Sequence, residues 1–384
     1  MGREAGLERD RILRSVTLID QDCMEVGKNY IAVRFGGSRK VLSTSTLNGG
    51  IHQNLRAVFN LDGKPEDGGE IVLEGGTYES DLRYRSRTLL GLAGDVTTGM
   101  MTAADMKNAA VVVSRYEELF VTAVVTGGIE NNGGRAGDPA LWQEEAGVWR
   151  SAPPRPEKLP EKSGPELLGT INIMLFVNAG MTDGAMERAL VTCTEAKTAA
   201  IQELSIPSLY SGGIATGSGT DGTVLVSNMD SSMHLTEAGK HCKLGELVGG
   251  SVKEAVREAL YRQTGVNAKK QCNVFRRLRR YGIHEQTLWE CALGQDLVKP
   301  DQKLWFLNSA RGWAAKPHMA AWAALEGHLL DERSWEMMEE EEFIRAERDL
   351  WKGFFGVWDE CSGSILQRIV NILLNECNRC SHIF

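Results

Sequence analysis

Long apolar runs are missing from this sequence of 384 residues. No stretch approaches the roughly 20 apolar residues that a membrane-spanning helix needs, and the first residues lack the apolar core of a signal peptide. Clustered positive charge is also scarce, because the formal net charge is −8 and the one basic cluster is short, at residues 276–280. These absences predict a cytoplasmic protein whose partners include neither a membrane nor a nucleic acid.

Cysteines in a regular framework are also lacking. The eight cysteines are scattered along the chain, which is typical of reduced thiols. Only Cys377 and Cys380 form a C-x-x-C pair, and His382 beside them makes a zinc site a minor alternative there. Because no second pair accompanies them, neither a metal nor another cofactor is predicted.

Strand-forming residues occur as close pairs in the first part of the chain. Residues 30–35 and 40–46, separated by Gly36 and Gly37, are predicted to form a hairpin, and so are residues 110–114 and 119–125. Turns this short leave no room for crossover helices. The pattern therefore favours mixed or antiparallel sheets flanked by helices over a regular parallel series.

The densest combination of elements spans residues 169–246. An apolar strand is predicted at 170–178, and a helix at 182–204 carries a polar stripe of Glu195, Thr198 and Gln202. A glycine-rich loop at 215–222 then leads into a second strand, and a polar cluster at 238–246 precedes another helix. Backbone N–H groups of such a loop can approach an oxygen-rich ligand. This stretch is where an active site is expected.

Six blocks of sequence, in order, resemble the adenosylcobinamide amidohydrolase family over about residues 30–265. They are Leu-Asn-Gly-Gly at 47–50, Met-Thr-Ala-Ala-Asp-Met at 101–106, Gly-Gly-Arg-Ala-Gly-Asp-Pro-Ala at 133–140, Thr-Glu-Ala-Lys-Thr-Ala-Ala at 194–200, Ala-Thr-Gly-Ser-Gly-Thr-Asp-Gly at 215–222 and Ala-Gly-Lys-His-Cys-Lys-Leu-Gly-Glu at 238–246. One departure is Ser218, where the family pattern is expected to have threonine. The motifs of common zinc and serine hydrolases are absent from these blocks.

The resemblance implies hydrolysis of the amide that joins aminopropanol to the corrin ring of adenosylcobinamide, in corrinoid salvage. The products would be adenosylcobyric acid and aminopropanol, and the partner would be this or a related corrinoid. Two alternatives remain open: a corrinoid-binding module without catalysis, and an amide hydrolase with another large substrate. Direct attack by water and a covalent route are equally compatible with the sequence, and a homo-oligomer is compatible as well.

Amide hydrolysis needs an activated nucleophile, donors for the oxyanion and an acid for the leaving amine. His241 is the first candidate for proton transfer, because an imidazole titrates near neutral pH. Asp221 and Asp138 are alternative bases, and Glu246 is a candidate for orienting His241. The candidates for substrate binding are Asn48, Gly49, Gly50, Asp105, Arg135, Glu195, Lys197, Thr220 and Lys240. Turn or capping roles are the ordinary alternative for Asp105 and Asp138.

The predicted fold is α/β of the α+β type, with layered mixed or antiparallel sheets flanked by helices, and it resembles an αββα hydrolase arrangement. Seven of the nine tryptophans lie beyond residue 271, where residues 350–358 and 365–373 show helical spacing of apolar side chains. The predicted domains are an amidohydrolase-like domain at 1–270 and a tryptophan-rich, mainly helical extension at 271–384. The role of the extension is not predicted.

Overall fold

A computed structural model describes residues 14–19, 21–64, 73–140, 142–145, 148–151, 169–358 and 363–381. In chain order its strands are β1 (Arg14–Thr17), β2 (Cys23–Val26), β3 (Tyr30–Arg34), β4 (Arg39–Ser43), β5 (Gly50–His52), β6 (Ala57–Asp62), β7 (Thr97–Thr102), β8 (Ala110–Tyr116), β9 (Leu119–Thr126), β10 (Gly133–Gly134), β11 (Trp142–Glu145), β12 (Val148–Ser151), β13 (Asn172–Val177), β14 (Gly180–Met181), β15 (Gly217–Ser218), β16 (Gly222–Asn228) and β17 (His234–Leu235). The helices are α1 (Tyr78–Arg85), α2 (Asp183–Glu203), α3 (Lys243–Thr264), α4 (Val274–Leu278), α5 (Glu285–Gly294), α6 (Lys303–Ala314), α7 (Pro317–Ser334), α8 (Glu340–Phe355) and α9 (Ile365–Ser381).

Two mixed sheets form the centre of the larger unit. The first has the order β1-β2-β3-β6-β7, and only its β6–β7 pair is parallel. The second has the order β5-β4-β16-β13-β9-β8, and only its β13–β16 pair is parallel. Every residue of β13 is buried, and all of them except Asn172 are apolar.

Side chains from both sheets meet in one apolar core, so the sheets pack face to face. Ile31 and Val58 of the first sheet and Phe176 and Val226 of the second belong to this core. On the outer face of the first sheet, Leu82 of α1 packs in a separate cluster with strand residues. On the second sheet, α3 packs against β8 and β9 and also against α2. The layers therefore run helix, sheet, sheet, helix, and the predicted α+β fold with flanking helices is confirmed.

The predicted hairpin at residues 30–46 is wrong. β3 pairs with β2 and β6 in the first sheet, whereas β4 pairs with β5 and β16 in the second. Arg39, at the start of β4, is 1% exposed. Its guanidinium donates two hydrogen bonds to Asp22 (2.9 and 3.0 Å) and one to Asn228 Oδ1 (2.7 Å). A buried charge needs such partners, so Arg39 holds β4 beside the end of β16.

The second predicted hairpin is present as β8 and β9, joined at the Tyr116–Leu119 pair. The long helix α2 also forms as predicted. Its first turn is capped by Thr182, whose side chain accepts a hydrogen bond from the backbone N–H of Ala185 at 3.3 Å. α3 begins at Lys243, so the last residues of the polar cluster at 238–246 are already helical.

The chain folds into two compact units. The first comprises the described residues up to Leu204 together with Ala215–Asn267, and the second comprises Ser205–Ile214 together with the described residues from Ala268 onward. The predicted division at 270/271 stays a prediction, and it did not anticipate that Ser205–Ile214 would cluster with the C-terminal residues. No helix of the described part of the chain is long and apolar enough to cross a membrane.

The second unit is helical, as predicted for the extension. Aromatic rings fill its centre: the Trp322 and Trp351 centroids are 5.0 Å apart in an edge-to-face arrangement, and Trp289 contacts Phe306 in the same way. A buried acidic side chain, Glu326, accepts a hydrogen bond from Trp351 Nε1 at 3.1 Å. The side chains of Cys377 and Cys380, and the whole of His382, lie outside the described residues, so the zinc alternative stays untested.

Candidate active site

Four motif blocks adjoin one edge of the second sheet. The carboxyl ends of β4 and β9 and the amino ends of β13 and β16 lie at this edge, because β13 and β16 run antiparallel to β9 and β4. The blocks at 47–50, 133–140 and 215–222 adjoin β4, β9 and β16, respectively. The block at 101–106 reaches the same edge, where Thr102 Oγ1 donates to the carbonyl of Thr170 at 3.4 Å.

The glycine loop, residues 215–222, is fastened to the loop after β9. β15 pairs with β10, so Gly217 lies opposite Gly134 and Ser218 opposite Gly133. The backbone N–H of Ala136 donates to Thr216 Oγ1 at 2.9 Å. Helix α2 adds a further tie, since Thr198 Oγ1 donates to the carbonyl of Thr216 at 3.1 Å. The block at 194–200 therefore joins this edge as the fifth block.

A nearly buried ion pair lies at the centre of this edge. Lys197 Nζ of α2 donates to Asp221 Oδ2 at 2.5 Å, and the two side chains are only 13% and 12% exposed. Asp221 also accepts from Ser218 N (3.0 Å), Ser218 Oγ (2.5 Å) and Ile171 N (3.0 Å). Both carboxylate oxygens are thus engaged, so Asp221 orients Lys197 and fixes the path of the glycine loop.

Two threonine hydroxyls meet beside this ion pair. Thr170 Oγ1 and Thr220 Oγ1 are 2.7 Å apart, and Thr220 is exposed whereas Thr170 is buried. One hydroxyl donates to the other, and an exposed hydroxyl can also hydrogen-bond a substrate. We call Lys197, Asp221, Ser218, Thr170 and Thr220 the edge cluster.

Two buried amides, Asn132 and Asn172, were not predicted as site residues. Asn132 is buried and its Nδ2 donates to the carbonyl of Gly169, while its Oδ1 accepts no hydrogen bond from the described residues. Asn172 Nδ2 donates to Asn60 Oδ1 at 2.8 Å inside the core. Asn172 had a sequence signal, because an amide interrupts an otherwise apolar strand. For Asn132, the only signal in the sequence was its place in a glycine-rich loop.

Asn48 and Asp105, both predicted to bind substrate, make local structural contacts. Asn48 Nδ2 donates to the carbonyls of Gly94 and Thr97, at 2.8 and 2.7 Å. Asp105 caps a short helical turn, where its Oδ1 accepts from Lys107 N at 3.0 Å and its Oδ2 lies 2.8 Å from Lys107 Nζ. These contacts are those of a capping residue, which is the alternative role that the sequence left open for Asp105. Gly49 and Gly50 are exposed beside Asn48.

Arg135 and Asp138 close a turn in the loop that is paired with the glycine loop. The backbone N–H of Arg135 donates to Asp138 Oδ2 at 2.6 Å, and the backbone N–H of Asp138 donates to the carbonyl of Arg135 at 2.9 Å. This geometry is a turn in which the carboxylate receives a backbone donor. Both side chains are partly exposed, and their predicted roles in catalysis and binding stay predictions.

The remaining candidates form a second group near the start of α3. Lys240 pairs with Glu195 at 2.7 Å, His241 is exposed, and Glu246 pairs with Lys243 at 2.7 Å in the first turn of α3. We call Glu195, Lys240, His241 and Glu246 the helix-start cluster. Residues two apart on a helix point about 200° apart around its axis, so Glu195 and Lys197 face different sides of α2. Among the described residues, no hydrogen bond or ion pair joins His241 to Asp221.

The thiol of Cys193, on the same helix as Lys197, is unsuited to be a nucleophile. Cys193 lies on α2, one turn before Lys197, and is fully buried. Burial raises the pKa of the Cys193 thiol to about 12, so the thiol stays protonated at neutral pH. Among the described residues, no group of three or more His, Cys, Asp or Glu side chains is arranged to hold a metal ion.

Comparison with known proteins agrees with the six sequence blocks. An uncharacterized protein of Methanocaldococcus jannaschii, MJ1613, is 40% identical over 247 residues, which cover 64% of this chain and 91% of that protein. The crystal structure of the PH0078 protein from Pyrococcus horikoshii covers 70% of this chain and 92% of its own, but with 13% identity and a TM-score of 0.28 it carries no argument. The family model described as adenosylcobinamide amidohydrolase matches residues 16–268. This chain therefore belongs to the adenosylcobinamide amidohydrolase family.

Proposed function

We propose that the protein hydrolyses the amide between aminopropanol and the corrin ring of adenosylcobinamide, giving adenosylcobyric acid and aminopropanol. One observation carries the proposal: three of the six blocks that define the family resemblance, at 133–140, 194–200 and 215–222, are joined by hydrogen bonds and by the Lys197–Asp221 ion pair. A binding site is commonly assembled from polar residues that are far apart in the sequence and close together in the fold.

Each part of the reaction has a candidate in this arrangement. The Lys197 ammonium, held by Asp221, is placed to bind the amide oxygen and to stabilise negative charge on it in the transition state. Thr220 presents an exposed hydroxyl beside it, which can position an attacking water or attack the carbonyl carbon itself, in which case water must then hydrolyse the resulting ester to release the acid. In either route the C–N bond breaks and the leaving amine takes up a proton. Asp138 and His241 are the candidate groups for that proton transfer.

Mass spectrometry of adenosylcobinamide incubated with the protein tests this proposal. We expect release of aminopropanol and a corrinoid product with a new carboxylate, with the same yield in the presence of a chelator. Insensitivity to the chelator is expected because the three histidines and three cysteines before residue 265 have no metal-ligand spacing. Tight binding with an intact amide after long incubation would favour a binding module, and activity abolished by chelation and restored by one divalent ion would contradict the metal-free prediction.

A matched pair of glycine variants tests the importance of the ion pair. A Cβ at Gly217 would lie 2.3 Å from Asp221 Oδ2 and 2.8 Å from Lys197 Nζ, whereas a Cβ at Gly184, in the first turn of α2, would meet no atom within 4 Å. Gly217→Ala must therefore displace the pair, and we expect kcat/KM to fall by about ten- to 100-fold. Gly184→Ala is the control and should keep the wild-type rate. Equal kcat/KM values for both variants would show that catalysis does not depend on the geometry of the Lys197–Asp221 pair.

A further inference from the structure

Strand β8, at the border of the second sheet, pairs on one side only. Its partner is β9, and among the described residues no strand lies on its other side, which we call the open side of β8. The strand at the opposite border of this sheet, β5, has only three residues, and β7 at the border of the first sheet is buried at five of its six positions. β8 is seven residues long and three of these residues are exposed. It therefore offers a long and accessible side to another strand.

The geometry of the hairpin shows which backbone groups of β8 point to the open side. A two-residue turn joins β8 to β9, so Tyr116 and Leu119 form a hydrogen-bonded pair. Every second residue of β8, counted back from Tyr116, also bonds to β9. Val111, Val113 and Arg115 therefore direct their N–H and C=O groups to the open side, where these groups make no hydrogen bond within the described part of the chain. Such a row of unpaired groups is a template for a further strand.

The usual protections of a border strand are missing from β8, all of which is described. Its pairing with β9 is continuous from Ala110 to Tyr116, so it contains no bulge. Its seven residues include neither proline nor lysine, and its one charged side chain, Arg115, lies over the ring of Phe120 at 4.6 Å. Val113, at the centre of the strand, is 46% exposed. Because a flat, apolar strand side promotes aggregation, we expect a specific partner to cover it.

The two ends of β8 carry opposite charges. Glu117 and Glu118 are exposed in the turn that follows the strand. Before the strand, Arg262 of α3 donates to the carbonyl of Ala109 at 2.6 Å and pairs with Glu258 at 2.7 Å, and its side chain is 44% exposed. A guanidinium has five N–H donors, so it can bind a further carboxylate. Two copies of β8 in antiparallel orientation bring the acidic end of each copy beside this arginine of the other.

We propose that the protein is a homodimer in which β8 pairs antiparallel with β8 of a second copy, about a two-fold axis at Val113. This register overlaps the whole of β8, because Val113 is its central residue. Val113 then lies opposite its own copy, and Val111 lies opposite Arg115 of the second copy. The open sides of the two strands exchange about six backbone hydrogen bonds, and Glu117 approaches Arg262 of the second copy. The proposal does not depend on the proposed function.

A self-complementary strand is what a two-fold interface requires, since the same surface must serve on both subunits. Addition of a strand to an open sheet border is also a common mode of recognition, in which main-chain hydrogen bonds supply affinity. The pairing joins the second sheets of the two copies into one continuous sheet. Lys243 Nζ lies 4.7 Å from the centre of the Tyr116 ring, so the start of α3 covers the same face of β8 in each copy.

Sedimentation velocity of the full-length protein under reducing conditions tests the dimer. We expect a particle with twice the 42.2 kDa mass of one chain. Val113→Lys places two ammonium groups opposite each other at the axis, and like charges directly opposite destabilise a strand pair. The dissociation constant of the dimer should rise at least about tenfold in this variant.

Val191→Lys is the matched control. Val191 lies on α2 and is 47% exposed, so the same substitution is made at a valine of nearly equal exposure on another surface. This variant should keep the dissociation constant of the wild type. Circular dichroism melting of both variants checks that neither substitution unfolds the chain.

A cysteine substitution tests the register. The Cα atoms of a hydrogen-bonded antiparallel pair are about 5.5 Å apart, a separation that a disulfide spans. After mild oxidation of Val113→Cys, peptide mass spectrometry should identify a disulfide that joins the substituted positions of two copies. Val191→Cys, in the same background of native cysteines, should not form the corresponding link.

Three results would overturn the proposal. The first is a wild-type protein that stays monomeric up to about 100 μM. The second is a dimer that Val113→Lys does not weaken, which would place the interface elsewhere. The third is a monomer in which the amides of Val111, Val113 and Arg115 exchange slowly with solvent, which would show that another segment of the same chain covers the open side of β8.

Discussion

Asp221→Ala is expected to lower kcat/KM for adenosylcobinamide by about 10²- to 10⁴-fold. The substitution leaves the Lys197 ammonium, only 13% exposed, without its counter-ion. It also removes the acceptor of three hydrogen bonds from Ser218 and Ile171, so the glycine loop loses its shape. Steady-state kinetics with adenosylcobinamide provides the measurement. Asp221→Asn removes the negative charge but keeps a side chain of the same size, so it separates the effect of the charge from the effect of the loop's shape.

Glu203→Ala is the matched control for this prediction. Glu203 is the last residue of α2 and, like Asp221, pairs with cations, here Lys253 and Arg257, but these side chains are more than 40% exposed. Exposed ion pairs contribute little to stability, so the control should retain the wild-type rate. Full activity of Asp221→Ala would remove the edge cluster from the mechanism.

His241→Ala decides between the two polar clusters. If His241 transfers the proton, its loss should lower the rate by at least about 10²-fold. The histidine is exposed and belongs to the helix-start cluster, on a different side of α2 from Lys197. A wild-type rate for His241→Ala together with an inactive Asp221→Ala would assign the chemistry to the edge cluster alone.

The helical unit is expected to lose stability as the pH rises from about 5 to 8. Glu326 of α7 is fully buried, and burial together with the nearby charge of Glu347 raises the pKa of Glu326 to about 8. The positive charge of Arg368, which pairs with Glu347 at 2.9 Å, favours the ionised form of Glu326 and opposes this shift of its pKa. The folded state therefore keeps Glu326 protonated at a pH where the unfolded chain, with an ordinary carboxyl pKa, has released the proton.

The sign follows from proton linkage. Between the unfolded and folded pKa values the folded state binds more protons, so the free energy of unfolding falls with rising pH and levels off above about 8. The free energy of unfolding falls by on the order of a few kcal/mol in total. The melting temperature of a unit of this size should then be about 10 °C lower at pH 8 than at pH 5. Tryptophan fluorescence reports this unit, because seven of the nine tryptophans lie in it.

Glu326→Gln tests the assignment. The amide can still accept the hydrogen bond from Trp351 Nε1 but does not titrate. The variant should melt at nearly the same temperature at pH 6 and pH 8.5, and above the wild type at the higher pH. Glu340→Gln, which alters an exposed pair with Arg333, should reproduce the wild-type profile. If the melting temperatures of the wild type and Glu326→Gln changed with pH in the same way, Glu326 would not be the source of the pH dependence.

The elements that the sequence predicts well are those whose pattern is local. β13 and α2 follow from a largely apolar run and from a long run of helix-forming residues, respectively. The failed hairpin at 30–46 shows the limit: β3 and β4 look like partners because two glycines separate them. β4 instead joins the second sheet, where Arg39 at its start binds Asn228 of β16, a residue 189 positions away. A short-range turn rule contains no information about that contact.

The same limit applies to the candidate site. Lys197, Asp221 and Thr220 could be selected because they stand in polar blocks near one predicted loop, and the structure brings them together. The sequence could not show that Lys197 faces the edge cluster whereas Glu195 does not. Which of the two does so depends on how α2 is rotated about its axis against the neighbouring elements. Asn48 and Asp105 have donors and acceptors suited to ligands, yet their described hydrogen bonds go to nearby protein groups.

The pairing of β4 with β16 has a consequence for the nascent chain. Ser43 of β4 lies opposite Val224 of β16, about 180 residues later. During synthesis β4 is made long before its partner, and its edge stays open until β16 has left the ribosome. Contacts so far apart in the sequence slow folding, and unpaired strand edges promote aggregation of intermediates. Fragments that end before residue 222 should therefore accumulate as aggregates, which makes β16 the strand on which soluble expression depends.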